Sequence, residues 1–233
     1  MTSGLRLEQV GLRIGGRTLL EGLDLEVAPG TVTTLMGPSG CGKSSLLSLI
    51  CGTLEPGFGW SGRVLVDGVA VEHLPPERRR VGILFQDDML FPHLSVGQNL
   101  GFAVPAQVRG AARQARVEAA LVEAELEGFA DRDPATLSGG QRSRVALLRT
   151  LLAEPRALLL DEPFARLDAA LRDRIRSFVF DHARGAGLPT LLVTHDPDDA
   201  AATDGPVLMF PGAPLADPPP ELLPGGHRRP RFA

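Results

Sequence analysis

An eight-residue run, Gly37-Pro38-Ser39-Gly40-Cys41-Gly42-Lys43-Ser44, combines closely spaced glycines with a lysine and a hydroxyl. Glycines let backbone N–H groups converge on one point, and such a nest suits an anion. The run matches G-x-x-x-x-G-K-[ST] and lies between an apolar, β-branched stretch (31–36) and an apolar helical stretch (44–51), the context this motif requires. A helix N-terminus adds a favourable dipole for phosphate. Lys43 is then expected to bridge the β- and γ-phosphates of a nucleoside triphosphate, with Ser45 beside it. The Ser44 hydroxyl is expected on Mg²⁺. The alternative, a glycine-rich turn that happens to hold a lysine, leaves the flanking strand and helix unexplained.

Lys43 is the only lysine in the chain, against 23 arginines; tyrosine is absent and asparagine occurs once, at Asn99. A codon bias toward arginine accounts for the scarcity. Lysine is a compact charge on a flexible stem, whereas arginine is a broad planar fork. A position that keeps lysine against the bias is one where the fork does not fit.

Four further groups carry chemistry when taken with this loop. Leu158-Leu159-Leu160 is an apolar strand that ends in Asp161-Glu162; the first acid suits metal coordination and the second suits a general base. Leu137-Ser138-Gly139-Gly140-Gln141 opens a helical stretch, with Ser138 as N-cap and bare backbone N–H groups as a second phosphate surface. Gln86 follows the strand 81–85, within reach of a metal or an attacking water. His195 ends the strand 190–194, where it can meet a γ-phosphate. Each of these also has a plainer reading: solvated acids, an ordinary capped helix, a polar loop residue, a solvated histidine.

The elements that position these groups alternate. Residues 5–10 and 22–27 read as short strands joined through the turn Gly15-Gly16. Buried-strand candidates fall at 31–36, 81–85, 157–160 and 190–194, and helical patterns at 111–127, 140–153, 169–186 and 198–203. Strand–helix alternation predicts an α/β fold with a parallel sheet covered on both faces. The mostly helical stretch from about 88 to 152 breaks that rhythm and is expected to be a subdomain inserted between two sheet strands. Residues 211–233 are rich in proline and end in arginines, as a solvated tail does.

Composition narrows the partners. The 233 residues carry a formal net charge of −4, which does not favour nucleic acid. No apolar run reaches the ~18–20 residues that cross a bilayer, and the first residues do not form a secretory signal. If 44–51 is helical, Cys41 and Cys51 lie ~15 Å apart, beyond the ~7 Å of a disulfide. Two free thiols fit a reducing compartment.

Together, and in this order, the motifs resemble those of the ATP-binding cassette (ABC) family over about residues 5–210. The resemblance identifies 37–44 as Walker A, Gln86 as the Q-loop and 137–141 as the signature. It makes Asp161-Glu162 the Walker B pair with its catalytic glutamate, Asp168 the D-loop aspartate and His195 the switch histidine. It implies a P-loop NTPase core with an N-terminal antiparallel β part and an inserted helical subdomain, all one domain over 1–210. The implied activity is ATP hydrolysis with Mg²⁺, coupled to transport across the cytoplasmic membrane.

The resemblance further implies a head-to-tail dimer with a second ATPase subunit, in which each ATP lies between one Walker A loop and the partner's signature. Membrane permease subunits would hold the chain at the cytoplasmic face, and an extracytoplasmic solute-binding protein would serve import. Residues 87–95, with apolar Met89, Leu90 and Phe91, resemble the importer segment that meets the permease. The runs 82–86 and 95–100 look most like the YnjD-type subgroup. A non-transport cassette ATPase would carry long coiled-coil insertions or two cassettes, and a phosphate-loop kinase would not need 137–141.

Two departures stand out. The family usually places an adenine-stacking aromatic near position 14, but here the residue is Ile14 and no nearby aromatic replaces it, which implies weaker base selectivity. The D-loop reads Ala165-Arg166-Leu167-Asp168, where Ser-Ala-Leu-Asp is usual, so Arg166 is expected to make a contact of its own across the dimer.

Overall fold

The computed structural model describes residues 4–38, 40–85, 87–165, 167–210 and 213–214. Ser39, Gln86, Arg166 and the tail from 215 onward, all singled out in the sequence, lie outside the described residues. From the N-terminus the chain forms β1 (Leu5–Ile14), β2 (Arg17–Val27), β3 (Val32–Met36), α1 (Lys43–Cys51), β4 (Phe58–Val66), β5 (Val69–Ala70) and α2 (Pro76–Arg79). There follow β6 (Val81–Leu84), α3 (Val96–Ala103), α4 (Gly110–Glu123) and α5 (Gly139–Leu152). The last elements are β7 (Ala157–Asp161), α6 (Ala169–Gly185), β8 (Thr190–Val193), α7 (Pro197–Ala201), β9 (Val207–Met209) and β10 (Ala213–Pro214).

Two sheets result. One is antiparallel, in the order β2-β1-β4-β5; the other runs β10-β9-β3-β8-β7-β6, parallel from β9 to β6 with β10 antiparallel at its edge. The expected α/β class and parallel sheet are therefore present. The strands β3, β7 and β8 are almost wholly buried, as strands covered on both faces must be.

Strand alternation divides β7 between two cores. Ala157 and Leu159 join Leu35, Leu191, Val193, the apolar face of α1 and the inner face of the antiparallel sheet. Leu158 and Leu160 join Leu192 and side chains of α5 and α6. A third core holds Val96, Leu100, Leu121, Leu137, Val145 and Leu148 of the helical stretch between β6 and β7. Helix α5 contributes to both of the last two, so the segment that begins at Ser138 is anchored to the sheet as well as to α3 and α4.

The expected strands and helices are found within a few residues of their predicted ends, and several elements go beyond the sequence reading. β4 and β5 complete the antiparallel sheet, and α3 precedes the predicted helices. α3 contains Gly97, Asn99 and Gly101, poor helix formers, so propensity conceals it. A reciprocal capping box starts it: Gln98 N–H donates to Ser95 Oγ at 3.2 Å, and Ser95 N–H donates to Gln98 Oε1 at 2.9 Å. α4 ends at Glu123, short of the expected 127, because Glu125 takes a positive φ of 55°.

Candidate functional site

Lys43, Ser44, Asp161, Glu162 and His195 converge at the carboxyl ends of the parallel strands, where open α/β sheets bind ligands. The glycine loop joins β3 to α1. Gly42 is the N-cap of α1 at φ 106°, a conformation open to glycine, and it has no side chain to cap the helix. The first-turn N–H groups, which have no partner within a helix, thus face the loop.

Lys43 is 7% exposed. Its ammonium donates to Gly37 O at 2.7 Å and Pro38 O at 2.8 Å, with Cys41 Sγ at 3.7 Å. Two consecutive carbonyls on the strand-side arm of the loop therefore hold the charge in place. Cys41 and Cys51 are free thiols, as expected.

Asp161 falls on the same face of β7 as Ala157 and Leu159, toward α1. There the Ser44 hydroxyl lies close enough to influence its carboxyl group. Burial pushes the Asp161 carboxyl above the usual range, and Glu162 pushes the same way. The Ser44 hydroxyl and the Lys43 charge oppose both effects. Two oxygen donors, one of them hard and anionic, thus meet beside the phosphate loop, a donor set that fits Mg²⁺.

Asp161 pairs with Val193 across β7 and β8, and Glu162 N–H donates to Val193 O at 2.9 Å. Glu162 takes a positive φ of 48°, a conformation sparsely populated by non-glycine residues. Its carboxylate turns toward β8, and Oε1 lies 2.9 Å from His195 Nδ1. In the tautomer with the hydrogen on Nδ1, the ring donates to this carboxylate oxygen. The His195 side chain is 64% exposed and that of Glu162 21%; the histidine reaches the site from its solvent side.

The turn that presents His195 is braced by residues that sequence reasoning missed. Asp196 N–H donates to Thr194 Oγ1 at 3.0 Å, and Thr194 Oγ1 donates to Asp199 Oδ2 at 3.3 Å. Arg172 and Arg176 of α6 pair with Asp196 and Asp199. Asp168, the predicted D-loop residue, caps α6 by accepting from Leu171 N–H at 3.0 Å.

A cavity of about 480 Å³ is lined by Ile14, Arg17, Leu19, Gly40, Gly42, Lys43, Ser44, Ser45, Phe58, Asp161 and Glu162. An aromatic ring absent from the sequence reading, that of Phe58, is among these lining residues. Phe58 is the direct partner of Ile14 across β1 and β4. It lies far along the chain, so only strand pairing reveals it.

The predicted signature lies apart from that cavity, at the start of α5. Ser138 caps the helix in a second reciprocal box: Gln141 N–H donates to Ser138 Oγ at 3.2 Å, and Ser138 N–H donates to Gln141 Oε1 at 2.9 Å. Leu137 is buried in the helical core. Gly139 and Gly140, both half-buried, form the first turn of the helix. Residues 137–141 line no part of the phosphate cavity among the described residues.

The segment after position 86 is tied to the same helix. Ser143 Oγ donates to Asp88 Oδ1 at 2.7 Å, Arg142 pairs with Asp88 Oδ2 at 3.4 Å, and Arg149 donates to Met89 O at 2.8 Å. Beyond it, buried Asn99 holds the turn. Its amide nitrogen donates to Phe91 O, Leu94 O and Ser95 O, and its oxygen accepts from Phe91 N–H. Leu90 packs inward, whereas Met89 is 62% exposed. Phe91 meets the exposed ring of Phe102 edge-on at 5.1 Å. No helix of the described residues is long and apolar enough to cross a membrane.

Comparisons with known proteins agree with this geometry. Residues 20–165 match the family model described as ABC transporter. The ABC transporter ATP-binding protein YnjD of Escherichia coli K12 is 50% identical over 198 residues, 85% of this chain and 91% of that protein. The Fe(3+) ions import ATP-binding protein FbpC 3 of Rhodococcus jostii RHA1 is 44% identical over 220 residues; the alignment covers 93% of this chain but only 62% of that longer relative. Among solved structures, the dimeric, post-hydrolysis ATP-binding cassette MJ0796 bound to ADP and Pi superposes with a TM-score of 0.77 at 30% identity, covering 88% of this chain and 93% of that one. The chain belongs to the ABC transporter family, as an ATP-binding and ATP-hydrolysing cassette.

Proposed function

We propose that this cassette powers an importer, from a site in which Lys43, the Ser44–Asp161 pair and the Glu162–His195 pair act together on one ATP. The observation that carries the reading is their convergence at the carboxyl ends of β3, β7 and β8, where Lys43, Ser44, Asp161 and Glu162 line one cavity and His195 contacts Glu162. Residues 37–45 hold the phosphates through backbone N–H groups and the Lys43 charge. Ser44 Oγ and Asp161 would hold Mg²⁺, which when bound neutralises charge on the β- and γ-phosphates. Gln86 belongs with that group by its sequence position.

Glu162 takes the proton of the attacking water. Its hydrogen bond from His195 Nδ1 keeps the carboxylate turned toward the γ-phosphate position, and leaves His195 Nε2 as the ring atom that faces the phosphate. The signature lies outside the cavity of its own chain, so a second copy completes the site, with its Ser138, Gly139 and Gly140 N–H groups on the γ-phosphate. We assign Asp168, the cap of α6, to that junction. The dimeric cassette structures of related proteins support this arrangement.

Dimer closure on ATP, and separation after hydrolysis, would move membrane permease subunits between two states. Met89 and Phe102 are exposed apolar side chains, the latter edge-on to half-buried Phe91, and we assign them to the permease contact. Relatives named for iron import support the inward direction, with an extracytoplasmic binding protein delivering solute and the chain peripheral on the cytoplasmic face. Reconstitution with candidate permease subunits is the test. ATP-dependent uptake into vesicles bearing the cassette outside, lost in Glu162→Gln, supports the reading. ATP hydrolysis with efflux in place of uptake overturns the direction, and hydrolysis unaffected by any permease overturns the coupling.

A further inference from the structure

The antiparallel sheet places three side chains in one row over the phosphate loop. Arg17 pairs with Ile14 across β2 and β1, and Ile14 pairs with Phe58 across β1 and β4. Residues directly opposite in a sheet share a face. Strands lie ~4.8 Å apart, so the row spans roughly 10 Å, about the length of a purine. All three residues line the cavity that holds Lys43, Ser44 and Ser45.

Two further features set Phe58 apart from an ordinary packing residue. Its neighbours on the strand are Gly57 and Gly59, and a Cβ at either would meet nothing within 4 Å; the backbone beside the ring is bare. Ile14 is 39% exposed, an apolar side chain left facing the cavity next to the ring.

We propose that Phe58 is the nucleobase-contacting residue of this ATPase, its ring and the Ile14 side chain forming one platform on which the base stacks. The loop that would hold the triphosphate and this platform line the same cavity. An apolar platform carries no hydrogen-bond code, and aromatic stacking tolerates every base because each has a π-face. The site therefore binds adenine and guanine nucleotides with similar affinity. Arg17 closes the row as a cation beside the base. This inference rests on the phosphate-site reading above.

Isothermal titration of the full chain with ADP, GDP and inorganic tripolyphosphate tests it without hydrolysis. Phe58→Leu keeps apolar bulk but removes the π-face, and should weaken ADP and GDP binding by about tenfold while tripolyphosphate binding changes by less than about twofold. Phe58→Tyr, which restores the ring, should bind all three as the parent does. Phe58→Leu binding ADP as tightly as the parent would overturn the proposal. So would equal losses for ADP and tripolyphosphate, since the ring would then act on the loop and not on the base. A parent chain that binds none of the three would overturn the phosphate-site reading itself, and this inference with it.

Discussion

His195 Nδ1 lies 2.9 Å from Glu162 Oε1, a hydrogen bond that links the carboxyl ends of β8 and β7. Positive φ at Glu162 and the braced turn at Thr194–Asp199 both aim side chains at this one contact. If Glu162 is the base, Glu162→Gln should lose at least about 10²-fold in turnover, the scale of general-base catalysis, and keep its ATP affinity. Phosphate release and nucleotide titration on the same sample check both halves. A variant that hydrolyses at the parent rate would assign the base elsewhere.

His195→Ala removes the group that orients Glu162. Turnover should fall by roughly 10–100-fold while ADP affinity holds, because a misaligned general base loses efficiency without disturbing the phosphate loop. His195→Gln, which can still donate to Glu162, should recover part of the loss. Steady-state kinetics of the two variants side by side separate positioning from simple destabilisation.

The environment of Asp161 gives a pH dependence of definite sign. Burial raises its folded pKa above the unfolded value, so the folded state holds the proton more tightly. Its contribution to stability is therefore greatest in acid and declines as pH rises from the ordinary aspartate range through the raised value. Asp161→Asn should melt above the parent by a few degrees near neutrality, about 2–4 °C per kcal/mol for a chain of this size, and the difference should shrink in acid. Magnesium–nucleotide binding needs the carboxylate, so parent affinity should fall as pH is lowered through that raised pKa. Calorimetric melts of both proteins across pH 4–8 check the sign.

Lys43 Nζ occupies a gap between two carbonyls, at 2.7 and 2.8 Å. A guanidinium is wider and keeps its nitrogens in one plane. Lys43→Arg should therefore cost about 10²-fold or more in turnover, comparable to losing a transition-state electrostatic donor, even though charge is preserved. Near-parent turnover would refute the steric account of why a chain with 23 arginines keeps one lysine.

The single asparagine is also structural. Asn99 is fully buried and makes four hydrogen bonds to the turn 91–95. Asn99→Ala leaves those backbone groups without a partner, at about 1–3 kcal/mol for each one left unsatisfied, and should destabilise the chain by about 2–4 kcal/mol overall. Urea unfolding measures this, and ADP titration should be unchanged, since the turn is remote from the phosphate cavity.

Much of the site was legible because its parts are local. The loop at 37–44 declares itself by glycine spacing, and β7 by an apolar run that closes in two acids. Both Glu162 and His195 read as strand-end residues, but their mutual contact was not legible, since the sequence directs the histidine to the γ-phosphate. What the sequence concealed depends on long-range pairing. β4 contains Gly59, Ser61, Gly62 and Arg63 and does not read as a strand, so the position of Phe58 opposite Ile14 stayed hidden. α3 forms through its capping box and its packing on α5 despite low propensity. Arg79 is buried and donates to Leu49 O, Ile50 O, Leu74 O and Glu72 O, fastening the end of α1; its place in a run of three arginines marks it as solvated. Asp88 is likewise one acid of a pair, given meaning only by Ser143 and Arg142.

The most direct test of a site shared between two copies is the molar mass of Glu162→Gln in solution, by light scattering, with and without Mg-ATP. A shared site predicts a monomer without nucleotide and a dimer with it, and predicts that adding Ser138→Arg to the same chain abolishes the dimer while ADP still binds. A Glu162→Gln chain that binds ATP yet stays monomeric, with a parent that hydrolyses ATP at the same rate per chain at every dilution, would contradict it.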